Sequence, residues 1–267
     1  MRSKNHILSV LIVFLFYNFQ GEIYFPQDKK INWCEVEDDV PSTGWKDGLH
    51  GAMDMEFVPN SDFLLISSWP DEANASAVIL TFEKRGAEIY KTSRADLPLG
   101  GMVDYSGSTQ CGISLAIREI DGEVQVFVGR CLSALTQVVE MYTIVNGEID
   151  VDTRIEILNI SSDIDYPSYQ HHIGEIGFDE NGLLWIFNGF NNVIEGAQNN
   201  SSLHGSVISI EVDKGGNIEG NSDNPGMRGE ESWNELVYAK GLRMPWKATL
   251  DSSGTWWIGD VGGSGIE

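Results

Sequence analysis

An all-β chain of tandem four-stranded antiparallel sheets, a β-propeller, is the fold this sequence predicts, and three observations lead to it. First, four hydrophobic strands run into small polar turns and leave them loaded with aromatic or branched residues: Phe57–Ser67, Glu119–Gly129, Phe178–Gly189 and Leu250–Asp260. Their turn centres, Asp62, Gly122, Gly182 and Gly254, recur about every 60 to 72 residues. Second, the hairpin patterns Ala77–Ile89, Val138–Ile149 and His204–Ile218 interleave with the first set and turn at Gly86, Gly147 and Gly216. Two hairpins per unit of that length is the signature of a four-stranded blade repeated in tandem. Third, no long stretch places apolar residues at helical spacing, so helices should be few and short. The 42% of hydrophobic residues and 29 glycines suit a full core crossed by many tight turns.

From the N-terminus, Arg2 and Lys4 precede the uncharged apolar run Ile7–Phe19. That run is too short for a comfortable membrane span and right for a signal-peptide core. Residues 1–21 therefore read as an export signal, cleaved or kept as an anchor, and 22–267 as the propeller. The protein is expected to be secreted, extracellular or periplasmic, with no stable membrane span beyond that segment. Cys111 and Cys131 flank the Ile113–Phe127 hairpin almost equidistantly from its turn at Asp121–Gly122. Pairing across the two strands would bring them face to face as a disulfide; the alternative is two small buried thiols, and Cys34 is left over. Asn74-Ala75-Ser76, Asn159-Ile160-Ser161 and Asn200-Ser201-Ser202 are glycan acceptors only on a eukaryotic secretory route. The hairpins supply three blades, and Gly241–Glu267 begins a fourth. A propeller must close or leave open strand edges. The chain therefore reads as the N-terminal part of a longer protein with about three and a half blades, the alternative being an oligomer that closes the ring.

Seventeen basic against forty acidic residues give a formal charge of −23. Such a surface repels a phosphate backbone, which excludes nucleic acid as a partner. It is chiefly a solvated acidic face, though acidic sites can hold hard cations.

The second half carries the chemistry. It reads YQHHIGEIGFDENGLLWIFNGF, AQNNSSLHGSVISIEVDKGGNI, DNPG and VYAKGLRMPWKATLDSSGTWWIGDVGGSGIE between Tyr169 and Glu267. In order and spacing these pieces resemble the glucose/sorbosone dehydrogenase family, and Gly48–Pro59 extends the likeness weakly towards the N-terminus. That family comprises six-bladed propellers that bind pyrroloquinoline quinone (PQQ), among them soluble aldose dehydrogenases and hedgehog-interacting-protein-like ectodomains. The resemblance implies a fold of the six-bladed quinoprotein glucose dehydrogenase type. It places the family's catalytic histidine, which takes the sugar C1-hydroxyl proton while hydride passes to the quinone, on His171. An imidazole suits that task because it is mostly free base near neutral pH yet still accepts a proton. The cofactor supplies the redox chemistry. Arg243, in Gly241-Leu242-Arg243-Met244-Pro245, matches the arginine that points at the quinone oxygens, where a fixed charge polarises the accepting carbonyl. Asp260 falls with it as a cofactor-side residue. Gly262 and Gly263 match backbone-carbonyl ligands for calcium.

Three departures matter. Gly189-Phe190 stands where the family has Gly-Asp, and phenylalanine cannot accept the hydrogen bond that orients the histidine. Met244 replaces the asparagine after the arginine, and Ile173 the first glycine of the histidine motif. Two classes of function follow. One is a secreted PQQ-dependent dehydrogenase oxidising the anomeric hydroxyl of an aldose. The other is a catalytically silent extracellular propeller that binds a protein or carbohydrate partner. Phe190 favours the second; His171, Arg243 and Asp260 favour the first. An unrelated lactonase-type propeller with a central calcium shares the architecture but not the ordered motifs, and fold alone does not separate the three.

Overall fold

In the computed structural model, residues 52–68, 77–86, 88–99, 112–133, 135–161, 171–190 and 194–262 are described. The expected signal segment, Cys34, Cys111 and Gly263 lie outside them. The first sheet comprises β1 (Ala52–Phe57), β2 (Phe63–Ser68), β3 (Val78–Arg85) and β4 (Glu88–Asp96), antiparallel in chain order. The second has the same order in β5 (Ser114–Ile120), β6 (Glu123–Ser133), β7 (Thr136–Val145) and β8 (Glu148–Ser161). Both expected hairpin series fall on these strands, so the blade reading holds. Asp121 and Gly122, and likewise Asn146 and Gly147, all have positive φ, with values of 50, 74, 55 and 84°. Two successive left-handed residues make the mirror-image turn whose twist matches the strands it joins.

The third sheet contains the Phe178–Gly189 hairpin, as β9 (Ile173–Phe178) and β10 (Leu184–Asn188), followed by β11 (Ser206–Val212) and β12 (Ile218–Gly220). It carries one feature the sequence pattern did not show. Its outermost position is shared, β12 pairing the far half of β11 and β13 (Val237–Lys240) the near half. Asn224 stitches the intervening loop down, donating from Nδ2 to the carbonyls of Ser209 and Glu235 at 2.9 and 2.7 Å. The fourth sheet is described as β14 (Pro245–Leu250) paired with β15 (Trp256–Asp260). Among the described residues a single 3-10 turn, Ile194–Gln198, is the only helix.

The core lies between blades. Leu65, Ile79 and Leu97 of the first blade pack with Leu115, Val126, Val128 and Tyr142 of the second. Phe127, Val139 and Met141 pack with Ile173, Ile176, Leu184, Ile186 and Ile208 of the third. Period-2 burial on strands covered on both faces produces near-continuous apolar runs, and burying each such side chain contributes about 1.5–3 kcal/mol. Gly129 has no Cβ where Ile173 and Ile176 press in from the next blade. The inner strands β1, β5, β9 and β14 lie side by side in that order. This stacking brings the starts of β9 and β14 together. Cys131 is disulfide-bonded; Cys111, its expected partner, lies outside the described residues.

Candidate functional site

Strand polarity assembles the site. His171 and His172 precede β9, Gly189 and Phe190 follow β10, Arg243 precedes β14, and Asp260 ends β15. In antiparallel hairpins these positions share one end of the propeller. Backbone contacts then draw the loops into one seam. The Gly189 amide donates to the His172 carbonyl and the Phe190 amide to the Arg243 carbonyl, both at 3.1 Å, while the Gly205 amide reaches the Gly189 carbonyl at 2.9 Å. Glycine is required here by space: a Cβ on Gly189 would collide with the His171 carbonyl, and one on Gly174 with the Pro245 carbonyl. Gly205, at φ 63°, likewise lies against Ala197 and the Leu242 carbonyl.

The side chains meet around Phe190. Its ring stacks on His171 with centroids 4.7 Å apart and planes 15° from parallel. The Arg243 guanidinium carbon lies 6.0 Å from the same ring centroid. His171 is buried and holds a left-handed backbone, φ 74°. Such a conformation costs a non-glycine residue of order 1 kcal/mol or more and persists where the surroundings enforce it. Arg243 donates from Nη1 to the carbonyls of Val261 and Gly262 at 2.8 and 3.0 Å. Asp260 accepts the Arg243 amide on Oδ2 at 3.0 Å and the Met244 amide on Oδ1 at 2.7 Å. Its place in the site is therefore to hold the Arg243 turn.

Behind His171 lie two further buried histidines, His172 and His204. Burial pushes the His172 pKa down to about 3, helped by the neighbouring His171 and His204, so His172 is neutral. Neither of its ring nitrogens meets a hydrogen-bond partner among the described residues. His204 is lowered too, by burial first. Lys240 donates to the carbonyls of Ser202 and His204, both at 2.7 Å, and burial lowers its pKa to about 8.

Below the seam lies a cluster that the sequence motifs did not reveal. The inner strands of the four sheets contribute Asp54, Ser114, Glu175 and Lys247. Lys247 Nζ contacts Glu175 Oε2 at 2.8 Å and Asp54 Oδ1 at 3.1 Å. The Ser114 hydroxyl donates to Glu175 at 2.7 Å, and the Leu115 amide to Asp54 at 2.7 Å. One ammonium cannot balance two sequestered carboxylates. Burial and then the Asp54 charge outweigh Lys247 and raise Glu175 to about 8. A charged residue interrupting each short apolar strand, as in AMDMEF, IGEIGF and PWKATL, was the available signal. A groove of about 660 Å³ lies elsewhere, at the Asp179–Gly182 turn beside Arg118, Glu211 and Asp223. It offers carboxylates and turn backbone but no histidine, and its Arg118 is committed to Gln125 and to the carbonyls of Val212 and Asp213.

The family model "Glucose / Sorbosone dehydrogenase" matches residues 133–266. Among solved structures, a putative oxidoreductase (glucose dehydrogenase) of Thermus thermophilus superposes with TM-score 0.58 at 20% identity, over 79% of this chain and 58% of that one. The apo soluble aldose sugar dehydrogenase of Escherichia coli gives TM-score 0.53 at 17% identity, over 79% and 57%. The PQQ-bound aldose sugar dehydrogenase of Streptomyces coelicolor gives 0.54 at 17%, over 80% and 60%. At such identities the likeness is one of fold, and the chain spans less than two thirds of the length of these proteins.

Proposed function

The chain belongs to the glucose/sorbosone dehydrogenase family, and from that premise we propose that it is part of an exported PQQ-dependent dehydrogenase acting on the anomeric hydroxyl of an aldose. The observation that carries the reading is the convergence of His171 and Arg243 on one aromatic ring at one end of the propeller. When bound, the quinone supplies the two-electron acceptor. On this reading Arg243, always cationic and fixed through Asp260, binds and polarises an anionic planar quinone. His171 accepts the sugar proton at an imidazole nitrogen. The donor set suits the quinone on this side. Of the two carbonyls proposed for calcium, that of Gly262 accepts from Arg243, and Gly263 lies outside the described residues.

One observation favours the second reading, a silent propeller that binds a partner. Phe190 lies face-on over His171, covering one face of the base with a ring that cannot accept its hydrogen bond. Titrating the protein with PQQ by fluorescence separates the two. Saturable binding that Arg243→Met abolishes is expected for a quinone site. Absence of binding by the folded wild type would overturn it in favour of the silent propeller. Among the described residues no helix is long and apolar enough to cross a membrane.

A further inference from the structure

Four Asn-x-Ser triplets, at Asn74, Asn159, Asn199 and Asn200, are not used by the candidate site. Of the described ones, Asn159 lies on a strand, whereas Asn199 and Asn200 share one turn, in which Asn199 Oδ1 accepts the Ser201 amide and hydroxyl. Asn159 lies on β8, the outermost strand of its sheet, which pairs only with β7 among the described residues. Strand alternation turns Ile160 inward and Asn159 and Ser161 outward. On the outward side the Ser161 hydroxyl donates to Asn159 Oδ1 at 2.7 Å, and Asn159 Nδ2 donates to the exposed Glu156 at 3.2 Å. The neighbouring blade covers the inner side of β8, where the Gly216 turn presses on Ile155 and Ile157, Ile160 joins the shared core and His204 hydrogen-bonds the Ser161 backbone, and leaves the Asn159 side chain exposed. Asn200, by contrast, is half-buried in a turn. Its carbonyl accepts the Asn234 amide at 3.0 Å, and its triplet's Ser202 hydroxyl accepts the His204 amide at 3.1 Å. An oligosaccharide there would displace the turn. At Asn159 it would project into solvent and screen an open strand edge, the part of a sheet most prone to unwanted pairing.

We infer that Asn159 is an N-glycosylation site on the outer rim of the second blade. The step is a group transfer from a lipid-linked oligosaccharide. The N–C bond forms between Nδ2 and the anomeric carbon as the C–O bond to the lipid diphosphate breaks, and the amide gives up one proton. The inference rests on the export reading, with which the disulfide at Cys131 agrees.

The full chain, translated with eukaryotic microsomes, tests it. The protease-protected chain should carry a glycan at residue 159, read as aspartate there after peptide-N-glycosidase digestion in heavy-oxygen water. Asn159→Gln and Ser161→Ala should lose that glycan, whereas Ser161→Thr and Asn200→Gln should keep it. A chain protected inside the vesicles with Asn159 unmodified overturns the inference alone. A chain left outside overturns the export reading and the inference with it.

Discussion

Phe190 is where a single side chain decides most. Stacked on His171 and beneath Arg243, it occupies the position at which the family pattern carries an orienting carboxylate. Phenylalanine cannot supply that carboxylate, and loss of the orienting carboxylate costs roughly two to four orders of magnitude in comparable hydrolytic triads. Dye-linked oxidation of aldoses should therefore stand near background with PQQ supplied, and Phe190→Asp should raise it at least about tenfold. A wild type that turns over glucose rapidly would contradict this account of Phe190. Gly174 is a second such position, limited by space rather than chemistry. Its missing Cβ leaves room for the Pro245 carbonyl, so Gly174→Ala should destabilise by about 1–3 kcal/mol, seen as a lower melting temperature. An unchanged melting temperature would show that the β9–β14 seam yields easily. The histidine and arginine motifs were legible in the sequence because their spacing is local. That Phe190 covers His171 was not, because stacking depends on where three separate loops converge.

Among the elements, the inner strands carry the charge network, and its titration has a definite sign. Glu175 is raised from 4.5 to about 8, so the native state holds its proton more tightly than the unfolded chain. That contribution is complete below about 4.5 and is lost as pH rises through about 8. His172 works the other way: lowered from 6.5 to about 3, its contribution is complete above about 6.5 and is lost as pH falls towards 3. The two slopes oppose each other between about 4.5 and 6.5. With Glu56, which burial and the Asp54 charge also raise to about 8, stability should therefore decline gently across that window, decline more steeply from about pH 6.5 to 8, and fall towards acid through His172. Chemical denaturation across that range checks it. Glu175→Gln should make the alkaline limb shallower, Glu56 retaining the rest, and leave the acid limb unchanged; an alkaline limb of unchanged slope would place its origin elsewhere. Lys247→Met should cost about 3–5 kcal/mol, since it leaves the Asp54 carboxylate without its counter-charge and Glu175 without its hydrogen-bond partner.

For the molecule as a whole, burial is uneven along the repeat. The second blade is sandwiched between the first and third and contributes to both core clusters. The β14–β15 sheet instead leaves Trp257 62% and Ile258 37% exposed. Local opening is easiest where few apolar contacts hold a ladder. Hydrogen exchange should then run fastest in β14–β15 and slowest in β6 and β7, by orders of magnitude in protection. Equal protection throughout would mean that the blades open as one unit. The charge of −23 acts at the same scale: self-repulsion should weaken as salt rises, so the melting temperature should increase with ionic strength.

What the sequence determined by itself was the repeat. Period-2 strands joined by polar turns at regular spacing admit few packings, so blade order, hairpin positions and the family follow from local pattern. The shared outermost position of the third sheet was hidden, because it depends on a loop tied down by Asn224 across the sheet. Tertiary structure alone decided which residues share a space. It turned Asp260 onto two backbone amides, laid Phe190 over His171, and gathered Asp54, Glu175 and Lys247 from strands far apart in sequence. The physical reason is that side-chain contacts across a propeller axis are set by blade stacking. No residue's near neighbours along the chain encode that geometry.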